Sequence, residues 1–198
     1  MGNIYFTSDF HLFHNKDFIY SDRGFNNIGE MNRALIENLW RTINYDDDLY
    51  ILGDLMLNEP DTGAVLEEIP GIIHIITGNH DTDKRIEVYK SARNVASVDT
   101  AKIIKVGKYR FYLSHYPTLT ANVHKPMKDN LISLHGHTHQ QNNFLFADNP
   151  FVYHVGVDSH DLMPITAEQI IEDIKEQRDY LKKEGETNAQ IGFNTNYS

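Results

Sequence analysis

Three short apolar runs, each closing on a small cluster of Asp, Asn or His, set the strongest limit on how this chain folds. Asn3 to Thr7 ends in Ser8-Asp9-Phe10-His11, Leu49-Tyr50-Ile51-Leu52 ends in Gly53-Asp54, and Ile72 to Thr77 ends in Gly78-Asn79-His80-Asp81. Runs this short and this continuously apolar read as buried parallel strands. Between the first two, Met31, Leu35, Leu39 and Ile43 recur every fourth residue, so Glu30 to Ile43 reads as a helix with one apolar stripe. Glu59 to Ile69 reads as a second, short helix stopped by Pro70-Gly71, and Thr82 to Ala92 as a third. Strands alternating with helices predict a parallel sheet. In such sheets the carboxyl ends of the strands are where sites are placed.

The pattern then turns to β. Val95 to Val98, Ala101 to Val106 and Arg110 to Ser114 are short strands, with a turn at Gly107-Lys108, and the last ends in His115-Tyr116-Pro117. Leu131 to Leu134 leads into His135-Gly136-His137-Thr138-His139. Side chains two apart on an extended segment face the same way, so His137 and His139 reach one small volume, and imidazole is the commonest metal-ligating side chain. Such a pair is also met as surface or core histidines, so its meaning depends on what else arrives there. Phe144 to Phe146 and Phe151 to Val157 complete the β-rich half. The last helix follows Pro164-Ile165-Thr166, where Thr166 and Gln169 form a capping-box pattern. Residues 1–184 are expected to form one domain and the polar stretch 185–198 a frayed tail.

The chain has 198 residues and no cysteine, which excludes disulfides, thiolate metal sites and cysteine nucleophiles. A transition-metal site here must be built from His, Asp, Glu and Asn. A net charge of −10 opposes broad attraction to nucleic acid. No apolar run is long enough for a membrane span, and the start has neither a basic region nor a long apolar core. Met1-Gly2 is followed by Phe6 where an acylation signal needs Ser or Thr. The expected setting is the cytoplasm of a bacterial cell, with the gene chromosomal or carried by a phage.

Taken together, Asp9-x-His11, Gly53-Asp54, Gly78-Asn79-His80-Asp81, the lone His115 and Gly136-His137-x-His139 resemble, in content and order, the signature of the calcineurin-like metallophosphoesterases. Ser8 to His14, Arg23-Gly24-Phe25, Met31-Asn32 and Val155-Gly156-Val157-Asp158 are similar to a small bacterial and phage branch. The resemblance implies an α/β fold: a four-layer α/β/β/α sandwich of two mixed sheets with a dinuclear metal site at the strand ends. It implies one cation held by Asp9, His11 and His139, a second by Asn79, His115 and His137, and Asp54 bridging both. Mixed carboxylate, amide and imidazole donors suit divalent Mn²⁺, the first expectation, and also Fe²⁺, Ni²⁺ or Zn²⁺. The cations would lower the pKa of a shared water, and the resulting hydroxide would attack phosphorus. His80 is implied to contact the phosphate or protonate the leaving oxygen, the alternative being a purely orienting role.

One departure stands out. Many relatives carry an acidic residue three positions after the bridging Asp, where this chain has Leu57, so Asp81 or water is left to orient His80. His14 and Arg23 are further candidates for phosphate contact, against a loop-ordering role. Tyr116, His124 and Lys125 flank the site in sequence, while His74, His135, His154 and His160 read as structural. Lys102, Lys105, Lys108 and Arg110 read as the solvated face of a hairpin. The expected activity is hydrolysis of a small phosphate ester, a nucleotide-like diester first and a monoester second. A nuclease or a non-catalytic scaffold is a weaker reading.

Overall fold

The computed structural model describes residues 2–57, 62–120 and 131–194. The first sheet contains β1 (Ile4–Thr7), β2 (Asp48–Leu52), β3 (Ile72–Ile76) and β4 (Val95–Asp99), all parallel. The two-residue β10 (Ile165–Thr166) adds antiparallel to β1, giving the order β10-β1-β2-β3-β4. The second sheet is mixed. Its centre is β6 (Tyr109–Ser114), β7 (Ile132–His135) and β9 (Asn149–His154), mutually parallel; β5 (Ala101–Val106) and β8 (Phe144–Phe146) pair antiparallel at its edges.

Period-two alternation sorts the first sheet's side chains between two cores. Tyr5, Leu49, Ile51, Ile73 and Ile75 face the helices, where they meet Met31, Leu35, Leu39 and Ile43 of the predicted stripe. Phe6, Tyr50, Leu52 and Ile76 face the other way, against Phe111, Leu113, Ile132 and Leu134 of the second sheet. Helices α2 (Ile28–Thr42), α3 (Thr62–Glu68) and α4 (Asp83–Ser91) form the outer layer over the first sheet. The helix α5 (Ala167–Asn194) inserts Ala167, Ile170 and Ile174 into the second core and packs on β9, β10 and β1. The fold is the α/β/β/α sandwich, and its last helix lies against both sheets.

Several boundaries differ from the sequence expectation for local reasons. Helix α2 starts two residues early because Asn27 caps it: its Oδ1 accepts the Glu30 N–H, and the Glu30 carboxylate reaches back to Asn26 and Asn27. A one-turn helix, α1 (Asp17–Tyr20), interrupts what reads as a loop from Phe13 to Asn27. The predicted cap of α5 is present, with the Gln169 N–H on Thr166 Oγ1 at 3.1 Å. Where a polar tail is expected from Gly185, helical backbone continues to Asn194. A single interior glycine costs a helix only about 1 kcal/mol, and Glu, Gln and Ala around it are good helix formers. The start of the expected Glu59 helix, and His124 and Lys125, lie outside the described residues.

Candidate metal centre

The loops leaving β1 and β2 are zipped together by backbone hydrogen bonds. Asp9 N–H donates to Gly53 O at 3.1 Å, His11 N–H to Asp54 O at 3.0 Å and Leu12 N–H to Leu55 O at 3.0 Å. The second sheet is tied to this pair through Asp9, whose carboxylate accepts the His137 N–H at 3.0 Å and the Ser8 hydroxyl at 2.5 Å. Five of the seven expected ligands, Asp9, His11, Asp54, His137 and His139, have φ between 48° and 69°. Non-glycine residues rarely take this left-handed conformation, and such outliers gather at functional sites. Two glycines allow the approach. A methyl group on Gly53 would overlap His115 Nδ1, and one on Gly136 would overlap the Asp9 carboxylate and Ser8 Oγ.

The expected ligands converge in two overlapping sets. In one, His11 Nε2 stands 3.1 Å from His139 Nε2, 4.0 Å from Asp9 Oδ1 and 3.7 Å from Asp54 Oδ2, and His139 Nε2 is 3.8 Å from Asp9 Oδ1. Two imidazole nitrogens bound at about 2.0–2.1 Å to one cation come roughly this close together. In the other, Asn79 Oδ1 lies 2.9 Å from both His115 Nε2 and His137 Nδ1, and Asp54 Oδ2 is 3.5 Å from His115 Nε2. Asp54 Oδ2 therefore faces a histidine of each set.

Tautomers imposed from outside the cluster show why a cation fits. His115 Nδ1 is 2.8 Å from the carbonyl oxygen of Leu52, which can only accept, so that nitrogen carries the proton. Its Nε2 is then a bare lone pair aimed at Asn79 Oδ1 and Asp54 Oδ2. His139 repeats the device: Nδ1 donates to Asp158 Oδ2 at 2.7 Å, leaving Nε2 turned toward His11 and Asp9. Lone pairs and carboxylate oxygens pointed at one volume repel unless a positive charge sits among them. An acceptor that fixes the far nitrogen is the usual support for a metal-ligating histidine.

The surrounding electrostatics agree. Burial pushes the Asp9 carboxyl up, against the pull of His139 and the Ser8 hydroxyl. Burial, together with the neighbouring His139 and Arg23, pushes His11 down to about 2. The hydrogen bond to Asp158 raises His139. Burial opposes ionisation of Asp158, yet its hydrogen bonds from His139 and Arg23 hold its carboxyl well below the usual range. The ligand set thus offers neutral imidazole at His11 and a buried carboxylate at Asp9 that gains from a nearby cation.

Arg23 differs from its expected phosphate contact. All five of its N–H donors are taken: Nε and Nη2 clasp Asp158 at 2.7 and 3.0 Å, Nη2 also reaches Asp9 O, and Nη1 reaches Phe10 O and Met31 Sδ. Its side chain is only 5% exposed. It orders the β1 loop instead. Asp81 likewise does not hold the His80 ring. Its carboxylate accepts the N–H groups of Asp54 and Gly78 and the hydroxyl of Tyr89, and so fixes the bridging loop.

His80 is anchored by its backbone N–H on Asp54 Oδ1 at 2.9 Å. Its ring centre is 5.3 Å from that of His11 and 5.9 Å from that of His14, and among the described residues no hydrogen bond holds the ring. A ligating atom of His80 lies within 4.8 Å of those of His11 and Asp54. His14 lies beside His11 with its ring tilted, Nδ1 to Nδ1 at 3.4 Å, and both line a cavity of about 450 Å³ with His80 and His139. Asp158 is the residue that reading the sequence missed as a site component. Its one signal was the Val155-Gly156-Val157-Asp158 stretch, and nothing in the sequence says that it joins Arg23 to His139. His74, His135, His154 and His160 all sit outside the cluster. Tyr116 packs its ring 4.7 Å from that of His137.

Comparison with known proteins places this geometry. The model of the calcineurin-like phosphoesterase superfamily domain matches residues 3–153. The Gene 66 protein of Mycobacterium phage D29 is 29% identical, the match covering 89% of this chain and 99% of that protein. The protein MJ1445 of Methanocaldococcus jannaschii is 30% identical, over 86% of this chain and 90% of its own. Among solved structures, a protein of unknown function from Aquifex aeolicus, AQ665, superposes with a TM-score of 0.67 at 24% identity, over 87% of this chain and 99% of its own. No helix among the described residues is long and apolar enough to cross a membrane. With the family's domain matched from the first strand through β9, this chain belongs to the calcineurin-like phosphoesterase superfamily.

Proposed function

We propose that the chain hydrolyses phosphate diesters with two divalent cations, Mn²⁺ first among them. Asp9, His11 and His139 would hold one, Asn79, His115 and His137 the other, and Asp54 both. The observation that carries the reading is the pair of outside acceptors, Leu52 O and Asp158, that turn the bare Nε2 atoms of His115 and His139 inward. When bound, such cations supply Lewis-acid charge stabilisation and a more acidic water.

The chain's own residues supply the rest. His80 and His14 line the cavity beside the first ligand set, where the leaving oxygen of a bound ester would lie. The oxygen of water forms the new P–O bond and its proton passes to solvent, the bond to the leaving oxygen breaks, and His80 delivers a proton to that oxygen and regains one from solvent. An alkoxide is a poor leaving group, so this proton is worth about 10²–10⁴-fold. The diester is favoured over the monoester by charge. Arg23 is the one Arg or Lys lining the cavity among the described residues, and its donors are already used, so none of these side chains offers a free cation to the second charge of a monoester.

The test is the rate on bis-nitrophenyl phosphate against mono-nitrophenyl phosphate with Mn²⁺, before and after chelation. Diester turnover that exceeds monoester turnover and disappears on chelation is expected. Chelator-resistant activity, or none with any of Mn²⁺, Fe²⁺, Ni²⁺ and Zn²⁺, would contradict the proposal.

A further inference from the structure

The cavity beside His80 is larger than a phosphate requires, and its far wall has a character of its own. Phe18, on the exposed side of the one-turn helix α1, is 63% exposed yet lines the cavity. Its ring centre is 6.0 Å from that of His14 at an interplanar angle of 81°, so a largely exposed aromatic ring stands next to the His14 side of the site. Ile19 closes the wall beneath it. Beside this cavity, and sharing Asp22, Arg23, Gln141 and Asp158 with its wall, is a second hollow of about 310 Å³ that Asp161 also lines. Among the described residues neither Asp22 nor Asp161 has an ion-pair partner. The Arg23 charge in the same wall is offset by Asp158.

We propose that this extension is the leaving-group subsite and that it takes an uncharged, ring-bearing alcohol of the nucleoside type, rejecting one that carries a further phosphate. The proposal rests on the diesterase reading above. Its logic is positional. The leaving arm lies on the side where His80 and His14 stand, so the first surface it meets is the Phe18 ring. Every base or aryl group has a π-face that an aromatic side chain can stack against. Asp22 and Gln141 then offer an acceptor and an amide to the hydroxyls and ring edges of that arm. The carboxylates of Asp22 and Asp161 repel a second anionic group.

Three esters of thymidine 3′-phosphate that release a common product test this: the methyl ester, the 5′-thymidine ester, and the 5′-thymidine ester bearing a terminal 3′-phosphate. Wild-type protein with Mn²⁺ is expected to prefer the second. Phe18→Ala should raise KM for the nucleoside ester on the order of tenfold, with kcat and the methyl ester little changed, and Phe18→Trp should restore it. Asp22→Asn should narrow the discrimination against the terminal phosphate roughly threefold. A readout independent of turnover is quenching of the added indole in Phe18→Trp by adenosine, measured against the wild-type Trp40 background. Equal effects of Phe18→Ala on methyl and nucleoside esters, or no quenching by adenosine, would overturn the subsite. Inactivity of wild-type protein on all three esters, with quenching intact, would instead overturn the hydrolytic reading and with it the leaving-group role, while leaving Phe18 as a nucleoside-binding surface.

Discussion

At the scale of single residues, Asp158 and Arg23 decide whether the site is held in shape. Asp158→Asn removes the charge that fixes His139, and losing such a support weakens metal affinity about 10–100-fold. Competition against a fluorescent chelator would measure this, with Asp158→Ala weaker still. Arg23→Met leaves Asp158 buried with half its partners gone. Breaking a buried pair from one side costs about 3–5 kcal/mol, so the expected signature is a lower urea midpoint, with KM on a diester unchanged at temperatures where the protein is folded. A phosphate-binding arginine would show the reverse pattern. Loop ordering by Arg23 stood as an alternative in the sequence, but its ion pair with Asp158, at 2.7 Å, could not be read there because it joins residues 135 apart. That the seven candidate ligands converge was legible for a local reason: each stands at a strand end, in a short Asp, Asn or His cluster that burial alone would not select.

At the scale of elements, the strand-end loops carry the strain, and the proposed cations would offset it. A left-handed non-glycine residue costs of order 1–3 kcal/mol, and five of them sit within a few ångströms of one another. Saturating metal at a hundred times its Kd adds about 2.7 kcal/mol per site, provided the unfolded chain does not bind it. For a chain of this size each kcal/mol moves Tm by roughly 2–4 °C. With both proposed sites saturated, chelation should therefore lower Tm by roughly 10–20 °C. Gly53→Ala should abolish that difference, because the methyl group displaces His115 and Gly53 itself holds φ at 91°. Periodicity revealed the β1–α2–β2–β3 half, since its apolar stripe and buried runs are regular. It did not reveal α1, a single turn whose Phe18 faces the cavity rather than the core. Nor did it reveal the extension of α5, where the polar composition of 185–194 is as compatible with an exposed helix as with a tail.

At the scale of the whole molecule, net charge misleads about the site and buried histidine controls acid stability. A total of −10 coexists with a cluster built to receive positive charge, because the carboxylates that matter are the few inside. Away from the ligands, His154 is fully buried with its Nδ1 on Ser159 Oγ, and burial pushes it down to about 3. Its folded pKa is below the unfolded value of about 6.5, so the unfolded chain binds the proton first. Stability from this residue is complete above about pH 6.5 and is lost as pH falls toward its folded value, with roughly 2 kcal/mol gone between pH 7 and pH 5. Urea midpoints at the two pH values should show that loss, and His154→Gln should remove this part of it. The central claim remains the meeting of seven distant side chains around two cations. It is tested most directly by anomalous diffraction from crystals grown with Mn²⁺. Two peaks are expected, one contacting Asp9, His11 and His139, the other Asn79, His115 and His137, with Asp54 touching both. A single peak, or two of which neither touches Asp54, would contradict it.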